Sequence, residues 1–284
     1  MRLLIVGITG MLGNTLFRYF NQRSGVEVFG TVRDGRAKSR FDLAYHDNII
    51  GGVDADHFDS VTSAFAQAKP DTVINAVGLI KQLQSSKDPL SALPLNALFP
   101  HRLARLCAVA GARLIHISTD CVFTGAIGNY VEKDIPDAID LYGRSKLLGE
   151  VDYPHAITLR TSIIGHELDS ANGLIGWFLS QQETIRGYTR AIFSGFPTVE
   201  LARIIERHVL PRPECHGLYH VASSPISKYD LLQLTAAAYD KDIEMIPDDT
   251  LVIDRSLNAD RFNKATGYQP PSWPELVRTM KNFG

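Results

Sequence analysis

The chain has 284 residues, of which 45% are hydrophobic and 21% are charged, and its formal net charge is −2. A charge so close to neutral argues against the basic surface that nucleic-acid binding or attachment to an acidic membrane requires. Cys107, Cys121 and Cys215 are scattered without a CxxC pair, which is typical of a reducing compartment rather than of a disulfide framework.

The N-terminal run RLLIV is five residues long and leads directly into a glycine-rich turn. A signal peptide needs a longer apolar region and a cleavage site, so this run is predicted to be the first strand. No stretch approaches the roughly 20 apolar residues of a membrane span. The sequence therefore predicts a cytoplasmic protein with no membrane partner and no nucleic-acid partner, and it leaves a homodimer open.

Short β-branched runs alternate with longer segments of helical period over the first part of the chain. The runs are continuously apolar, which is typical of parallel strands buried on both faces. This pattern predicts an α/β fold, a doubly wound parallel sheet with helices on both faces. The predicted strands are 2–6, 26–32, 48–53, 71–77, 112–118 and 156–162, and the predicted helices are 11–22, 58–68, 89–110 and 142–151.

The rhythm changes after residue 163, where glycines and aromatic residues become frequent. This part predicts a smaller C-terminal substrate-binding lobe. Its predicted elements are one helix within 165–195, helices near 198–209 and 228–239, a strand at 217–223 and two short helices around a Pro-Pro break. The expected domains are 1–165 for a nucleotide-binding domain, to which 197–222 returns, and 166–284 mainly for the lobe.

The segment IVGITGMLGNTLFRYF places Gly7, Gly10 and Gly13 between the first strand and the first helix. Such a turn lets the backbone approach a pyrophosphate, and the helix N-terminus offers free N–H groups. A plain tight turn is the alternative, but the strand–turn–helix context predicts a Rossmann dinucleotide site. The predicted contacts include the residues between the glycines, Thr9, Met11 and Leu12.

The segment FGTVRDGRAKSR, at the end of the second strand, bears on the choice of dinucleotide. Cations accommodate the 2′-phosphate of NADP, whereas a carboxylate binds the free ribose of NAD. Four cations follow the strand and favour NADP(H), with Arg33 as the predicted contact. Asp34 leaves NAD(H) open. The other three cations are Arg36, Lys38 and Arg40.

The GxxGxxG spacing resembles that of the short-chain dehydrogenases and reductases. In that family, residues after the third and fourth strands line the adenosine half of the cofactor. The resemblance implies cofactor contacts at Asp54 and Ala55 and, in the segment NAVG, at Ala76, Val77 and Gly78. Asn96 matches a position where the family often has asparagine.

Three further residues point to carbonyl reduction. STDCVFTG places Thr119 at the end of the fifth strand, and YGRSKLLGE places Tyr142 and Lys146 on one face of a helix. A neighbouring ammonium favours loss of a phenol proton, so the tyrosine can protonate a carbonyl oxygen as hydride arrives. The threonine orients that oxygen. The set resembles the catalytic triad of extended short-chain reductases, in which the tyrosine and lysine also contact the cofactor.

Longer motifs resemble dTDP-4-dehydrorhamnose reductases, which reduce the 4-keto group of a nucleotide-linked 6-deoxysugar. They are GITGMLGNTL, STDCVFTG, DLYGRSKLLGE, LRTSIIG and DRSLNADRF, and they cover nearly the whole chain. The resemblance implies an NADP-dependent oxidoreductase with a nucleotide-sugar substrate. It implies substrate contacts at Arg255 and Asn258, and Phe123 is predicted to line the same pocket. No metal is predicted, because ECHGLYH lacks a fourth ligand.

Two alternative functions stay open. Cys121 stands where rhamnose reductases have tyrosine and 4,6-dehydratases have glutamate, which argues against dehydration. Cys121 with His166 resembles the pair of GDP-fucose-synthase-type epimerase-reductases, which acts on the carbons flanking the ketone; a thiol buried for packing is the other interpretation. The second alternative is a non-catalytic subunit, because the β subunit of methionine adenosyltransferase shares this fold and binds NADP.

Overall fold

A computed structural model describes residues 1–81 and 84–284 of the chain. Its strands are β1 (Arg2–Val6), β2 (Glu27–Val32), β3 (Ile49–Gly51), β4 (Thr72–Asn75), β5 (Arg113–Thr119), β6 (Ala156–Thr161), β7 (Ile163–Ile164), β8 (Ile185–Tyr188), β9 (Ala191–Phe193), β10 (Phe196–Pro197), β11 (Gly217–His220), β12 (Ile226–Ser227), β13 (Met245–Asp248) and β14 (Ile253–Asp254).

The helices in the described residues are α1 (Met11–Asn21), α2 (Phe58–Ala68), α3 (Pro89–Ala92), α4 (Phe99–Ala110), α5 (Leu141–Leu148), α6 (Leu174–Ser180), α7 (Thr198–Ile204), α8 (Lys228–Ala238), α9 (Asp260–Thr266) and α10 (Trp273–Phe283). Short 3₁₀ segments occupy Gly35–Arg40, Leu43–Asn48, Gln84–Lys87 and Asp120–Val122. Within these same residues, no helix combines the length and the apolar character needed to cross a membrane.

Seven strands form one sheet in the spatial order β11-β6-β5-β4-β1-β2-β3. The pairs β1–β2, β1–β4, β2–β3 and β4–β5 are parallel. The strand order changes direction between β1 and β4, which is the topological switch of a doubly wound fold. The predicted α/β class is therefore confirmed.

The sheet strands are apolar throughout because helices cover both faces. Leu4 and Val6 of β1 pack in one cluster with Phe65 of α2 and Leu103 of α4. Leu3, on the opposite face of the same strand, is also fully buried. A side chain points to alternate faces along a strand, so burial of consecutive residues requires a layer on each side.

The predicted helix 89–110 is wrong in one respect, because the structure divides it. A π-helical segment, Leu93–Leu98, lies between α3 and α4, and Pro94 stands in its first turn. Proline has no N–H to donate to the carbonyl four residues earlier, so an α-helix cannot continue regularly through it. The predicted helix 198–209 likewise ends in a π-helical segment, Ile205–Val209.

Two short strands, β8 and β9, lie in 165–195, where the sequence predicted only a helix. Strand β8 pairs in parallel with β13, and β9 pairs with β12 and β14. Burial alternates along β8, with Ile185 and Gly187 buried and Arg186 exposed. Strand β8 contains arginine and glycine, and β9 has only three residues, so neither carries enough pattern to be predicted.

The chain folds into two compact units. Unit 1 comprises Met1–Ser118, Asp140–Leu159 and Pro213–Leu218, and unit 2 comprises Thr119–Ile139, Arg160–Arg212 and Tyr219–Gly284. The segment Thr119–Ile139 therefore groups with unit 2, although it precedes the domain boundary expected at residue 165. The assignment of cofactor binding to one unit and substrate binding to the other stays a prediction.

Candidate functional site

The glycine turn of unit 1 has two glycines that the fold requires. Gly7 follows β1 with φ of +90°, and its N–H donates to Thr31 Oγ1 at 2.9 Å. A Cβ at Gly13 would overlap the Gly7 carbonyl oxygen. Side chains are therefore excluded at both positions by the turn itself, whatever binds there.

Gly10 differs, because the nearest atom to a Cβ there is 3.9 Å away. Gly10 is also the N-cap of α1 and makes no side-chain capping hydrogen bond. The first N–H groups of α1 therefore face an open approach without a side-chain acceptor, which fits the pyrophosphate of a dinucleotide. Thr9 and Met11, beside Gly10, are half-buried, whereas Leu12 is buried.

Some of the cations that follow β2 already bind other groups of the protein. Arg36 Nη2 lies 2.8 Å from Asp34 Oδ2, and this hydrogen-bonded pair lowers the pKa of the Asp34 carboxyl. Lys38 Nζ donates to the His46 carbonyl at 3.3 Å. Arg33 is exposed directly after β2. Asp34, the NAD-type acceptor considered from the sequence, is thus engaged by a neighbouring cation.

The residues predicted on the adenosine side lie at the ends of β3 and β4. Asp54 and Ala55 are half-buried beyond β3. After β4, the Asn75 side-chain oxygen accepts the Val77 N–H at 3.1 Å, which fixes the NAVG turn. A Cβ at Gly78 would lie 3.8 Å from the amino group of Lys146, so this turn and the lysine are neighbours within unit 1. Ala76, a residue of the same turn, is half-buried.

Helix α5 carries Tyr142 and Lys146 one turn apart, as the spacing predicted. Asp140 caps the helix by accepting the Gly143 N–H at 2.8 Å. Lys146 is only 6% exposed, and its Nζ donates to the Ile117 carbonyl at 2.8 Å. Burial lowers the pKa of Lys146 from 10.5 to about 8, and the charge of Glu150 partly opposes this shift.

Asn96 hydrogen-bonds both the residue after the NAVG turn and helix α5. Its Oδ1 accepts the Leu79 N–H at 2.9 Å, and its Nδ2 donates to Ser145 Oγ at 3.1 Å. The amide thus uses its donor and acceptor groups to link the residue after the NAVG turn to helix α5, which carries Lys146. Asn96 is buried, so its amide does not face solvent.

His116 of β5 is a polar core residue that the sequence interpretation missed. It is fully buried, and its Nδ1 lies 3.2 Å from Asn75 Nδ2. Burial lowers the pKa of His116 well below 6.5, and the charges of Lys146 and His101 act in the same direction. In the sequence, the burial of His116 is indicated by its place inside the run LIHIS, which is otherwise mostly apolar.

Thr119, Asp120 and Cys121 open unit 2 as one hydrogen-bonded group. Thr119 Oγ1 accepts the Cys121 backbone N–H at 3.1 Å and donates to Asp120 Oδ1 at 3.2 Å. The Cys121 side chain also hydrogen-bonds the Asp120 carboxyl. Thr119 belongs to unit 2 and Tyr142 to unit 1, so the convergence of the three triad residues stays a prediction.

Phe123 fills the interior of unit 2. Its ring is fully buried, stacks on Tyr130 with centroids 4.0 Å apart, and lies 5.1 Å from the Arg160 guanidinium carbon. Arg160 in turn donates to His220 Nε2 at 2.9 Å. This packing gives Phe123 a structural role, and its predicted contact with substrate stays a prediction.

The DRSLNADRF segment is tied to the loop that follows Phe123. Arg255 Nε donates to the Phe123 carbonyl at 2.7 Å, and the Asn258 N–H donates to the Tyr130 carbonyl at 2.7 Å. Ser256 Oγ accepts the Asn129 N–H at 2.8 Å. Arg255 and Asn258 are half-buried. Their roles toward a substrate stay predictions.

His166 Nε2 lies 2.9 Å from the Tyr239 hydroxyl, within unit 2. With the Cys121 thiol directed to Asp120, each member of the suggested epimerising pair has another hydrogen-bond partner. The epimerase-reductase alternative stays a prediction. Among residues 1–81 and 84–284, no three His, Cys, Asp or Glu side chains are grouped so as to hold a metal ion.

Comparison with known proteins shows the fold class and the family of the chain. The solved dTDP-4-dehydrorhamnose reductase of Bacillus anthracis str. Ames, in complex with NADP, superposes with a TM-score of 0.80 over 99% of this chain and 97% of that chain, at 21% identity. This likeness shows the fold. The RmlD substrate binding domain model matches residues 1–280. The chain therefore belongs to the RmlD substrate-binding domain family.

Two curated relatives differ in how much of this chain they match. The dTDP-4-dehydrorhamnose reductase of Aggregatibacter actinomycetemcomitans is 26% identical over 307 residues, covering 99% of each chain. The methionine adenosyltransferase 2 subunit beta of Bos taurus is 34% identical over 150 residues, which cover 52% of this chain and 41% of that protein. The reductase thus matches from end to end, and the subunit over a part.

Proposed function

We propose that this protein is an NADPH-dependent reductase of a 4-keto-6-deoxy nucleotide sugar. The observation that carries the proposal is the buried ammonium of Lys146, one turn from Tyr142 and next to Gly78 of the NAVG turn. A buried charge destabilises a fold, so its presence at the carboxyl edge of a dinucleotide-type sheet favours a catalytic role.

The cofactor fits the turn around Gly10. The open approach to the start of α1 would receive the pyrophosphate, and Arg33 would face the 2′-phosphate. When bound, NADPH supplies the hydride. The reductase relative and the NADP-bound structural neighbour support this choice of cofactor and substrate class.

The protein's own residues then handle the ketone oxygen. Tyr142 donates its phenolic proton to that oxygen as negative charge develops on it. Lys146, held by the Ile117 carbonyl, stabilises the phenolate that remains. Thr119 positions the oxygen through its hydroxyl. Arg255 and Asn258 are the proposed contacts to the nucleotide sugar.

NADPH oxidation should be measured against a panel of 4-keto-6-deoxy nucleotide sugars. Tyr142→Phe removes the proton donor, and we expect turnover to fall by about 10² to 10⁴. Tyr153→Phe is the matched control, because this tyrosine of unit 1 hydrogen-bonds His101 at 3.2 Å and has no role in the proposal. Full turnover by Tyr142→Phe would refute the role of the phenol.

A second candidate is a non-catalytic NADP-binding subunit, which the partial match to methionine adenosyltransferase 2 subunit beta favours. Such a protein would bind NADPH and oxidise none of it with any sugar in the panel. It would gain nothing from a buried lysine beside a tyrosine. Tight NADPH binding combined with zero turnover across the panel would support this candidate over the reductase.

A further inference from the structure

The hydroxyl of Thr119 is held between two partners within unit 2. It accepts the Cys121 N–H at 3.1 Å and donates to Asp120 Oδ1 at 3.2 Å. Thr119 and Asp120 are both buried, at 7% and 8% exposure. The two contacts therefore fix what the hydroxyl can offer to a ligand.

A threonine hydroxyl has one hydrogen to donate and two lone pairs to accept with. When the Asp120 carboxylate takes that hydrogen, only a lone pair is left for a ligand. A ketone oxygen is itself an acceptor, so Thr119 in this state has nothing to donate to it. The 3.2 Å distance is long for an O–H···O hydrogen bond, which makes the hydrogen easy to redirect.

Asp120 faces charged groups from two other parts of unit 2. Burial raises the pKa of its carboxyl, while Arg255 foremost, the hydrogen bonds from Cys121 and Thr119, and Lys228 all lower it. The net direction is upward. The carboxyl therefore takes up a proton at a higher pH than an exposed aspartate does.

We propose that Asp120 sets the hydrogen-bond polarity of Thr119. With Asp120 ionised, the Thr119 hydrogen is held by the carboxylate; with Asp120 protonated, the acid donates to Thr119 Oγ1 and frees the threonine hydrogen for a ligand oxygen. In the context of the proposed function, that ligand is the ketone of the nucleotide sugar. Asp120 is then a positioning residue that acts through Thr119.

The coupling can be tested without any substrate. The pH titration of the Asp120 carboxyl would be followed by ¹³C NMR in aspartate-labelled protein, with Asp120→Asn identifying the resonance. Thr119→Val removes the donor to the carboxylate and should make Asp120 an acid about tenfold weaker. Thr119→Ser keeps a hydroxyl and should restore the wild-type titration. An unchanged titration in Thr119→Val would overturn the proposal.

Glu200 supplies a matched control in the same unit. It is 5% exposed, and burial raises the pKa of its carboxyl as it does for Asp120. Glu200→Gln therefore removes a comparable buried acid, and we expect the Asp120 titration to stay as in the wild type. A shift of equal size in Glu200→Gln would mean that the Asp120 titration responds to changes elsewhere in unit 2, and would count against a specific link to Thr119.

A kinetic arm separates this proposal from the proposed function. In the wild type, kcat/KM for the keto sugar should rise as pH falls through the Asp120 titration. Asp120→Asn, whose amide donates at every pH, should lose that rise. Turnover with the same acid limb in both proteins would overturn the polarity proposal and leave the reductase intact. No wild-type turnover, with the Thr119→Val shift present, would support the polarity and refute the reductase.

Discussion

The buried ammonium of Lys146 allows a quantitative prediction about stability. Lys146→Met keeps a long side chain but removes the charge from a site that is 6% exposed. The difference between 10.5 and about 8 in the pKa of Lys146 corresponds to about 3 kcal/mol of destabilisation at pH 7. Lys146→Met also loses the hydrogen bond to the Ile117 carbonyl, which offsets about 1 kcal/mol of the stability gained by removing the charge. The variant should therefore be about 2 kcal/mol more stable than the wild type.

The sign of the pH dependence follows from the lowered pKa. The unfolded chain binds the lysine proton more tightly than the folded protein does, so the destabilisation is full below about pH 8 and disappears as pH rises through 10.5. At pH 10 it has fallen to about 1 kcal/mol. The advantage of Lys146→Met should therefore be present at pH 7 and absent at pH 10.

Urea unfolding of the wild type and Lys146→Met at both pH values measures these differences. Lys38→Met is the matched control, since this half-buried lysine of unit 1 also donates to a backbone carbonyl, at 3.3 Å. We expect no stabilisation from it. The reasoning fails if Lys146→Met is no more stable than the wild type at pH 7, or if its advantage is the same at pH 10. The variant should also lose reductase turnover.

Other predictions concern the glycine turn and a buried histidine. Gly13→Ala should lower the melting temperature, because the added Cβ would overlap the Gly7 carbonyl oxygen. Gly10→Ala should melt like the wild type but bind NADPH more weakly. Equal melting temperatures of the two variants would contradict the turn geometry. His220 has its pKa lowered to about 4 by burial and by Arg160, so the protein should lose stability as pH falls from 6.5 to 4. His220→Gln should reduce that loss by about 3 kcal/mol in urea titrations; an unchanged loss would show that His220 is not its source.

The sheet could be predicted because burial on both faces leaves a direct trace in the sequence. Each of β1, β2, β4, β5 and β6 coincides with a continuous apolar run to within two residues. The placement of Tyr142 and Lys146 one turn apart on a helix could also be predicted, from their four-residue spacing. These features depend on local periodicity, which a single sequence contains.

Other features depend on which side chains meet through the fold. Asn96 and Ser145 are 49 residues apart in sequence, and their hydrogen bond has no local signature. The π-helical segment Leu93–Leu98 arises where a proline interrupts a helix that packing nonetheless continues. The short strands β8 and β9 form only because β13, β12 and β14 lie beside them.

Lys146, the candidate catalytic ammonium, and Asp120, the proposed positioning carboxyl, carry opposite charges, and burial destabilises the charged form of each. Burial pushes Lys146 toward its neutral amine and Asp120 toward its neutral acid. A site that only had to be stable would use apolar side chains at both positions. In the proposed mechanism, Lys146 stays charged to stabilise a phenolate, whereas Asp120 loses its charge to free the Thr119 hydrogen. Burial therefore opposes the charged state that Lys146 needs and favours the neutral state that Asp120 needs. Activity should fall when pH rises above the Lys146 pKa of about 8 and should not fall when Asp120 becomes neutral.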